Sequence, residues 1–372
     1  MKKIAVAVSA ALIAGSALAA DVTVFGVVDT GLVYNNTDIE GRAQTDTFSM
    51  DSGVAYGSRF GFKGTEDLGN GYSVSFHLEN GFSSDDGRLG QGNRLFGREA
   101  RLSLNTPFGT VSAGRMGTLT SGMGTYDIFQ LNGDTFDGGF TSDTIGANVW
   151  FARDRYDNML TFVTPKFAGF TGYAQYSNGT DGADDAQTAR ENNRYAALGV
   201  TYENGPLTAV VAADTIIREQ VTQGYIDDAQ AISFGFNYDL EVAKVFFGAQ
   251  YGKHEDNFAG GISDKVDGLV AKYSEVNGLN GYNLHVGASF PLACGTLNVG
   301  ANYSNAEGDV DTATAQIEAE QWGLAATHTY PLSKRTSIYT GVGFRKVTVD
   351  YSSTNTEKVK AFEAALGLTH KF

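Results

Sequence analysis

The last twelve residues alternate strictly, and that period constrains the chain more than any other feature. Phe362, Ala364, Leu366, Leu368, His370 and Phe372 fall on one face, and Ala361, Glu363, Ala365, Gly367, Thr369 and Lys371 on the other. A repeat of two is that of a strand, and an aromatic at the very C-terminus suits a strand with lipid on one side and water on the other. At the opposite end Lys2 and Lys3 precede a largely apolar run from Ile4 to Ala14, and Ala17-Leu18-Ala19 forms a small-residue cleavage site. Residues 1–19 therefore read as a secretory signal peptide, and residues 20–372 as the mature chain.

After that signal no stretch approaches the roughly 18 unbroken apolar residues of a membrane-spanning helix. A spanning barrel stays open, because alternation hides the hydrophobicity of its strands. Mean hydropathy is −0.18, yet the chain holds 24 Phe and 18 Tyr. All five prolines (Pro107, Pro165, Pro206, Pro291 and Pro331) are expected in short connections between alternating runs, since proline cannot donate to a ladder. An exported chain that ends in a membrane strand points to the outer membrane of a Gram-negative bacterium.

The formal charge is −15, and it becomes −17 when Lys2 and Lys3 leave, which argues against a nucleic-acid partner. The acids cluster in polar segments that read as solvated loops. Cys294 is the single cysteine, so no intrachain disulfide framework exists.

Alternating runs recur about every twenty residues, joined by connections that are short and long in turn. The short ones are Glu66–Gly71, Asn105–Gly109, Pro165–Gly169, Glu203–Pro206, Asp239–Ala243, Pro291–Gly295 and Pro331–Lys334. Seven short turns imply eight hairpins, hence sixteen antiparallel strands in one all-β transmembrane barrel, with the long loops outside. Closure leaves no unpaired edge in lipid. Parity then assigns faces: Phe60 and Phe62 outward against Arg59, Gly61 and Lys63 inward, then Tyr72, Val74, Phe76 and Leu78 outward against Ser73, Ser75, His77 and Glu79 inward. A charge facing hydrocarbon at mid-depth costs roughly 2–4 kcal/mol, so the charged set must face water.

One connection is too long for an ordinary hairpin. About forty residues separate the strand Thr110–Gly117 from the next, starting near Asn158. They include Tyr126, Phe129, Phe136, Phe140, Trp150 and Phe151 among Asp127, Asp134, Asp137 and Asp143. So aromatic a loop needs a surface to pack on. The inner wall of its own barrel would serve, and would narrow a channel; the alternative is a mobile external loop.

Asp21–Asp29 resembles the opening strand of the Gram-negative general-diffusion porins, in particular the neisserial and related β-proteobacterial branch. Ser58-Arg59-Phe60-Gly61-Phe62-Lys63-Gly64-Thr65-Glu66-Asp67-Leu68-Gly69-Asn70-Gly71 is similar to that family's most recognisable stretch. Leu95–Ala100, Phe108–Val111, Gly114-Arg115, Phe167–Phe170 and the terminal Phe372 resemble it too. The matches are dense to about residue 178 and thin afterwards, resuming at the last strand. The resemblance implies a homotrimer in outer-membrane lipid and lipopolysaccharide, a third extracellular loop folded into each lumen, and wall arginines facing that loop's acids. By motif the arginines are Arg59, Arg98 and Arg155, with Arg115 a fourth, and the acids are Asp127, Asp134, Asp137 and Asp143. The chain departs from the family at Thr135-Phe136-Asp137-Gly138, where a Pro-Phe-Gly-like turn is common.

Parity opposes one of these assignments. Leu102 and Leu104 outward put Arg101 in the lumen and Arg98 out, unless a bulge near Gly97–Arg98 flips the faces. Arg98 and Arg101 therefore stand as alternatives. His77, His254, His285, His328 and His370 show no metal-ligand spacing, and there is no G-x-S-x-G elbow, so neither catalysis, a metal nor a cofactor is expected. The expected function is passive diffusion of ions and small hydrophilic solutes through a water-filled channel. A substrate-selective channel is the alternative, and a barrel enzyme or adhesin a third. Acids in outer loops are screened over roughly 8–10 Å, whereas charges at a narrow point act at close range. The expectation is weak anion preference set by Arg59 and Arg155.

Overall fold

The computed structural model describes residues 22–136, 140, 144–146, 149–151, 153–180, 192–219, 227–255, 278–309, 316–351 and 355–372. The expected signal segment, residues 1–19, lies outside the described residues. Strands β1 (Thr23–Ile39), β2 (Thr45–Ser52), β3 (Arg59–Gly69), β4 (Tyr72–Gly81), β5 (Glu99–Thr106) and β6 (Gly109–Gly117) precede the long loop. It is followed by β7 (Arg155–Val163), β8 (Phe170–Ser177), β9 (Arg194–Asn204), β10 (Leu207–Ile217), β11 (Ala229–Asp239) and β12 (Lys244–Glu255). The chain ends with β13 (Leu279–Leu292), β14 (Gly295–Asp309), β15 (Gln316–Pro331), β16 (Thr336–Tyr351) and β17 (Asn355–Lys371).

The strands pair antiparallel in sequence order except that β2 and β3 both pair with β1, and β17 returns to pair with β1 from Val27↔Lys371 to Ile39↔Val359. The sheet is therefore closed. Seventeen segments make sixteen staves, because β2 and β3 share one. β2 covers the upper part of β1 (Thr30↔Ser52 to Thr37↔Thr45), and β3 covers the lower part (Thr23↔Lys63 to Val27↔Arg59). The interruption at 53–58 is held by Asp29, which is fully buried. Its carboxylate accepts from Ala55 N at 3.2 Å, Tyr339 Oη at 2.9 Å and Thr369 Oγ1, and its carbonyl accepts from Gly53 N at 2.9 Å. One buried carboxylate with that many donors fixes where the stave breaks.

The outward face reads as the alternation predicts. Leu102, Leu104, Leu160, Leu198, Ile232, Val286 and Leu366 are exposed, an aliphatic band that only lipid would cover. Exposed aromatics bracket it: Phe108, Phe167, Phe170 and Tyr238 near the short turns, and Tyr34, Tyr176, Tyr251 and Tyr282 toward the long connections. The seven short turns appear where expected. Pro291 and Pro331, however, fall inside the ends of β13 and β15 rather than in the turns, where the ladder no longer demands their N–H. The wall is lower over β5–β8, at 8 or 9 residues per strand, than over β14–β17, at 15 to 17.

Candidate functional site

On one side of the inner face three arginines surround one glutamate. Glu79, near the end of β4, takes Arg98 Nε at 2.6 Å and lies 3.8 Å from Arg59 Nε and 3.5 Å from His77 Nε2. Arg155 opens β7 and is 8% exposed; Arg98 and Glu79 are among the charges that act on it, and its own neighbour Asp154 lies 3.9 Å away. Three arginines against Glu79 and Asp154 leave one positive charge in excess, and such an excess favours water or an anion beside it. Gly57 makes room for the group: a Cβ there would sit 2.9 Å from an Arg98 guanidinium nitrogen.

Both candidates for the disputed position face inward. β5 begins at Glu99, so Arg98 precedes the ladder and alternation does not govern it. No bulge is needed. Arg101 lies on the strand beside Glu99, which accepts from its Nε; it also donates to Ser103 Oγ at 2.6 Å and packs 5.4 Å from the centroid of the Tyr126 ring in the long loop. Arg115 is a correction. It pairs with Ala100 and keeps the parity of Val111 and Ala113 on the outward face. There it donates to Asp157 Oδ1 at 2.8 Å and to the carbonyl of Gly97 at 2.7 Å, and Arg94 joins the same carboxylate. The Gly-Arg motif did not carry its facing, because a strand end can hold an outward charge above the hydrocarbon.

Described residues of the long loop hydrogen-bond to side chains at inward positions of the opposite strands. Leu119 N donates to Gln175 on β8, Thr120 Oγ1 to Asp214 on β10, and Asn237 on β11 donates to the Asn132 carbonyl. Phe151 N donates to Gln250 on β12 at 2.7 Å, and Thr135 N to His285 Nε2 on β13 at 3.2 Å. Phe140 N reaches Ala55 O in the interruption between β2 and β3, while its ring meets Tyr339 on β16 edge-on. Wall glycines leave the space. A Cβ at Gly235 would lie 2.9 Å from Gly133 Cα, at Gly248 2.7 Å from Trp150, and at Gly300 2.5 Å from Phe136.

Of the expected loop acids, the two described make hydrogen bonds within the loop. Asp127 is buried and accepts from Leu131 N at 3.0 Å, closing the turn that becomes the short helix Phe129–Gly133. Asp134 is buried too, accepting from Trp150 Nε1 at 2.8 Å and Phe136 N at 2.9 Å, 3.6 Å from His285 Nε2. These carboxylates hold the loop's own shape. Asp137 and Asp143 lie outside the described residues. Among the described residues, Glu79, Glu99, Asp154 and Asp157 form ion pairs with the wall arginines.

One buried, ion-paired residue escaped the sequence reading. Arg153, at the loop's end, is 4% exposed and donates from Nε to Asp214 at 2.6 Å and from Nη2 to Glu255 at 2.8 Å. Burial works against its charge, but the two carboxylates outweigh burial and hold it above the ordinary arginine range. The available signal was an acid at an inward position of an otherwise uncharged strand, Asp214 in β10.

Comparison with known proteins gives a consistent picture. A family described as Gram-negative porin matches residues 5–350. An outer membrane porin protein of Bordetella pertussis is 31% identical, over 100% of both chains. Among solved structures, an anion-selective porin from Comamonas acidovorans aligns with TM-score 0.65 and 26% identity, covering 95% of this chain and 100% of that one. OmpT of Vibrio cholerae, solved in a trimer form, aligns with TM-score 0.56 at 15% identity over 95% of this chain and 100% of that one, which is a likeness of fold.

Proposed function

The chain belongs to the Gram-negative porin family and is an outer-membrane channel for passive diffusion; from that premise we propose that its narrowest point lies between the arginine wall and the inward loop, and prefers anions. The channel performs no chemistry. Water fills the lumen, the loop 118–154 sets the size limit, and fixed charges at the narrowing orient polar solutes and set ion preference. Contacts from β8 round to β16 support a loop inside the lumen, since a segment of that length reaches so many strands only from within.

The observation that carries the anion preference is the imbalance on this wall, where Arg59, Arg98 and Arg155 stand against Glu79 and Asp154. The acids expected to balance them, Asp127 and Asp134, are engaged within the loop. The solved Comamonas acidovorans neighbour is itself called anion-selective. We read the assembly as a homotrimer in outer-membrane lipid and lipopolysaccharide. The OmpT neighbour in its trimer form supports this, as does the low wall over β5–β8, which a closed symmetric assembly would cover.

Planar-bilayer recording tests the reading. Deletion of Asp134–Phe140 should raise single-channel conductance, and a salt gradient across the wild-type channel should give a zero-current potential of anion-preferring sign. An assembled deletion with unchanged conductance would place the narrowing elsewhere. A cation-preferring potential would overturn the charge assignment.

A further inference from the structure

The lipid-facing side of β8–β12 is not a uniform aliphatic surface. A groove of about 700 Å³ runs down it, opening toward the long connections. Its floor is made by Ala196 and Ala213, and Leu198, Ile232 and Tyr251 rise around them as exposed side chains. Register explains the shape. Leu198 pairs with Ala213, Ala213 with Ile232, and Ile232 with Tyr251, so one alanine is sunk between two large aliphatic neighbours in a single row.

The next row toward the outside is polar. Thr215 pairs with Gln230, and Gln230 with Lys253, on the same outward parity. These three side chains sit within three residues of the strand ends at Ile217, Ala229 and Glu255. Among the described residues none of them has a hydrogen-bond or ionic partner. Polar groups facing lipid need a partner. Arg194 on β9 has the parity of Ala196 and Leu198 two residues further out, and its Nε is buried without a hydrogen-bond partner among the described residues.

We propose that this groove is a specific seat for an acylated, phosphate-bearing lipid of the outer leaflet. One acyl chain lies over Ala196 and Ala213 between Leu198 and Ile232, and the phosphate meets Lys253, with Gln230 and Thr215 beside it and Arg194 three strands away on the same rim. Two features select this occupant together. The apolar depression suits a methylene chain, and the cations stand at the depth of the headgroups, where a phosphate is the available anion and accepts charge-assisted hydrogen bonds. The proposal rests on the outer-membrane reading above and adds a position and a chemistry to it.

Native mass spectrometry of the detergent-solubilised full assembly tests this, with bisphosphoryl hexa-acyl lipid A as probe and phosphatidylcholine as comparison. Wild type should retain the probe well above phosphatidylcholine. Lys253→Gln should weaken retention by about tenfold, the loss of roughly one charge-assisted contact. Ala213→Phe keeps every charge and fills the floor, and should weaken retention comparably. Equal retention by wild type and Lys253→Gln would overturn the phosphate contact, and equal retention by Ala213→Phe would overturn the groove. A wild-type barrel that holds phosphatidylcholine as well as lipid A would overturn both. Conductance of the same samples separates this from the channel reading: a conducting barrel without lipid selectivity sinks only the seat.

Discussion

On β3–β5 the inward positions carry Arg59, Glu79, Glu99 and Arg101; on β9–β16 the equivalent positions carry Gly199, Gly235, Gly248, Gly300 and Gly343. Both walls follow the same period of two, with apolar side chains outside. The first keeps long charged side chains that reach the lumen. The second gives up its side chain at those glycines, where loop backbone and aromatic rings approach closely, and holds the loop with Asp214, Asn237, Gln250 and His285 between them. On the proposed reading the two walls are unlike: one supplies charge, the other a seat for the loop that would press solutes toward that charge. The comparison predicts that variants on the seat change how much current flows, while variants on the charged wall change which ions carry it.

The largest effect should come from Arg153. Arg153→Met leaves Asp214 and Glu255 buried near each other with no cation between them, a change that costs about 3–5 kcal/mol when one partner of a buried ion pair is lost. The barrel ladder is far larger than this, so the loss falls on the loop's attachment. Single-channel records should show higher and noisier conductance, with heat-modifiable migration retained. Quiet records at the wild-type level would mean that the aromatic contacts hold the loop by themselves.

Gly248→Leu should act in the same direction and less strongly. Its Cβ would lie 2.7 Å from both the Gly133 carbonyl and the Trp150 ring, and such overpacking costs typically 1–3 kcal/mol. The loop yields before the ladder does. A raised conductance with unchanged zero-current potential would sharpen the division between the walls, whereas a changed potential at unchanged conductance would break it.

Arg59→Gln with Arg155→Gln tests the charged wall. Two of the three cations near Glu79 disappear, so the zero-current potential in a salt gradient should move toward cation preference while conductance changes little. A potential that stays put would show that these arginines do not line the ion path.

Much of this was legible in the sequence, for one physical reason: a barrel strand announces both faces through alternation. The closed sixteen-stave sheet, the outward Leu102 and Leu104, and the inward Arg59 and Glu79 follow from parity and turn spacing. Long-range pairings do not follow. Asp134 looked like a pore acid because it is an acid in an aromatic loop, yet Trp150 and Phe136 claim its oxygens. Whether a loop carboxylate faces water or its own backbone depends on contacts that periodicity does not encode. Arg153 was invisible for the same reason, since its partners lie 61 and 102 residues away. The abundance of glycine was visible, but its use as a seat appears only when loop and wall are seen together.

Arg115 gives the smallest expected effect and tests the boundary of the comparison. By motif it belongs with the constriction arginines, but it pairs with Ala100 on the outward face and shares Asp157 with Arg94. A charge behind the wall acts on the lumen only through its distant field, and it is already offset by its own carboxylate. Removing one member of that trio leaves Asp157 with Arg94, so little net field changes inside, and salt screens what remains within roughly 8–10 Å. Arg115→Gln should therefore leave the zero-current potential at its wild-type value, under the gradient in which the Arg59 and Arg155 double variant moves it. A shift of comparable size would place Arg115 on the ion path and dissolve the distinction between the lumen-facing arginines and the outward one.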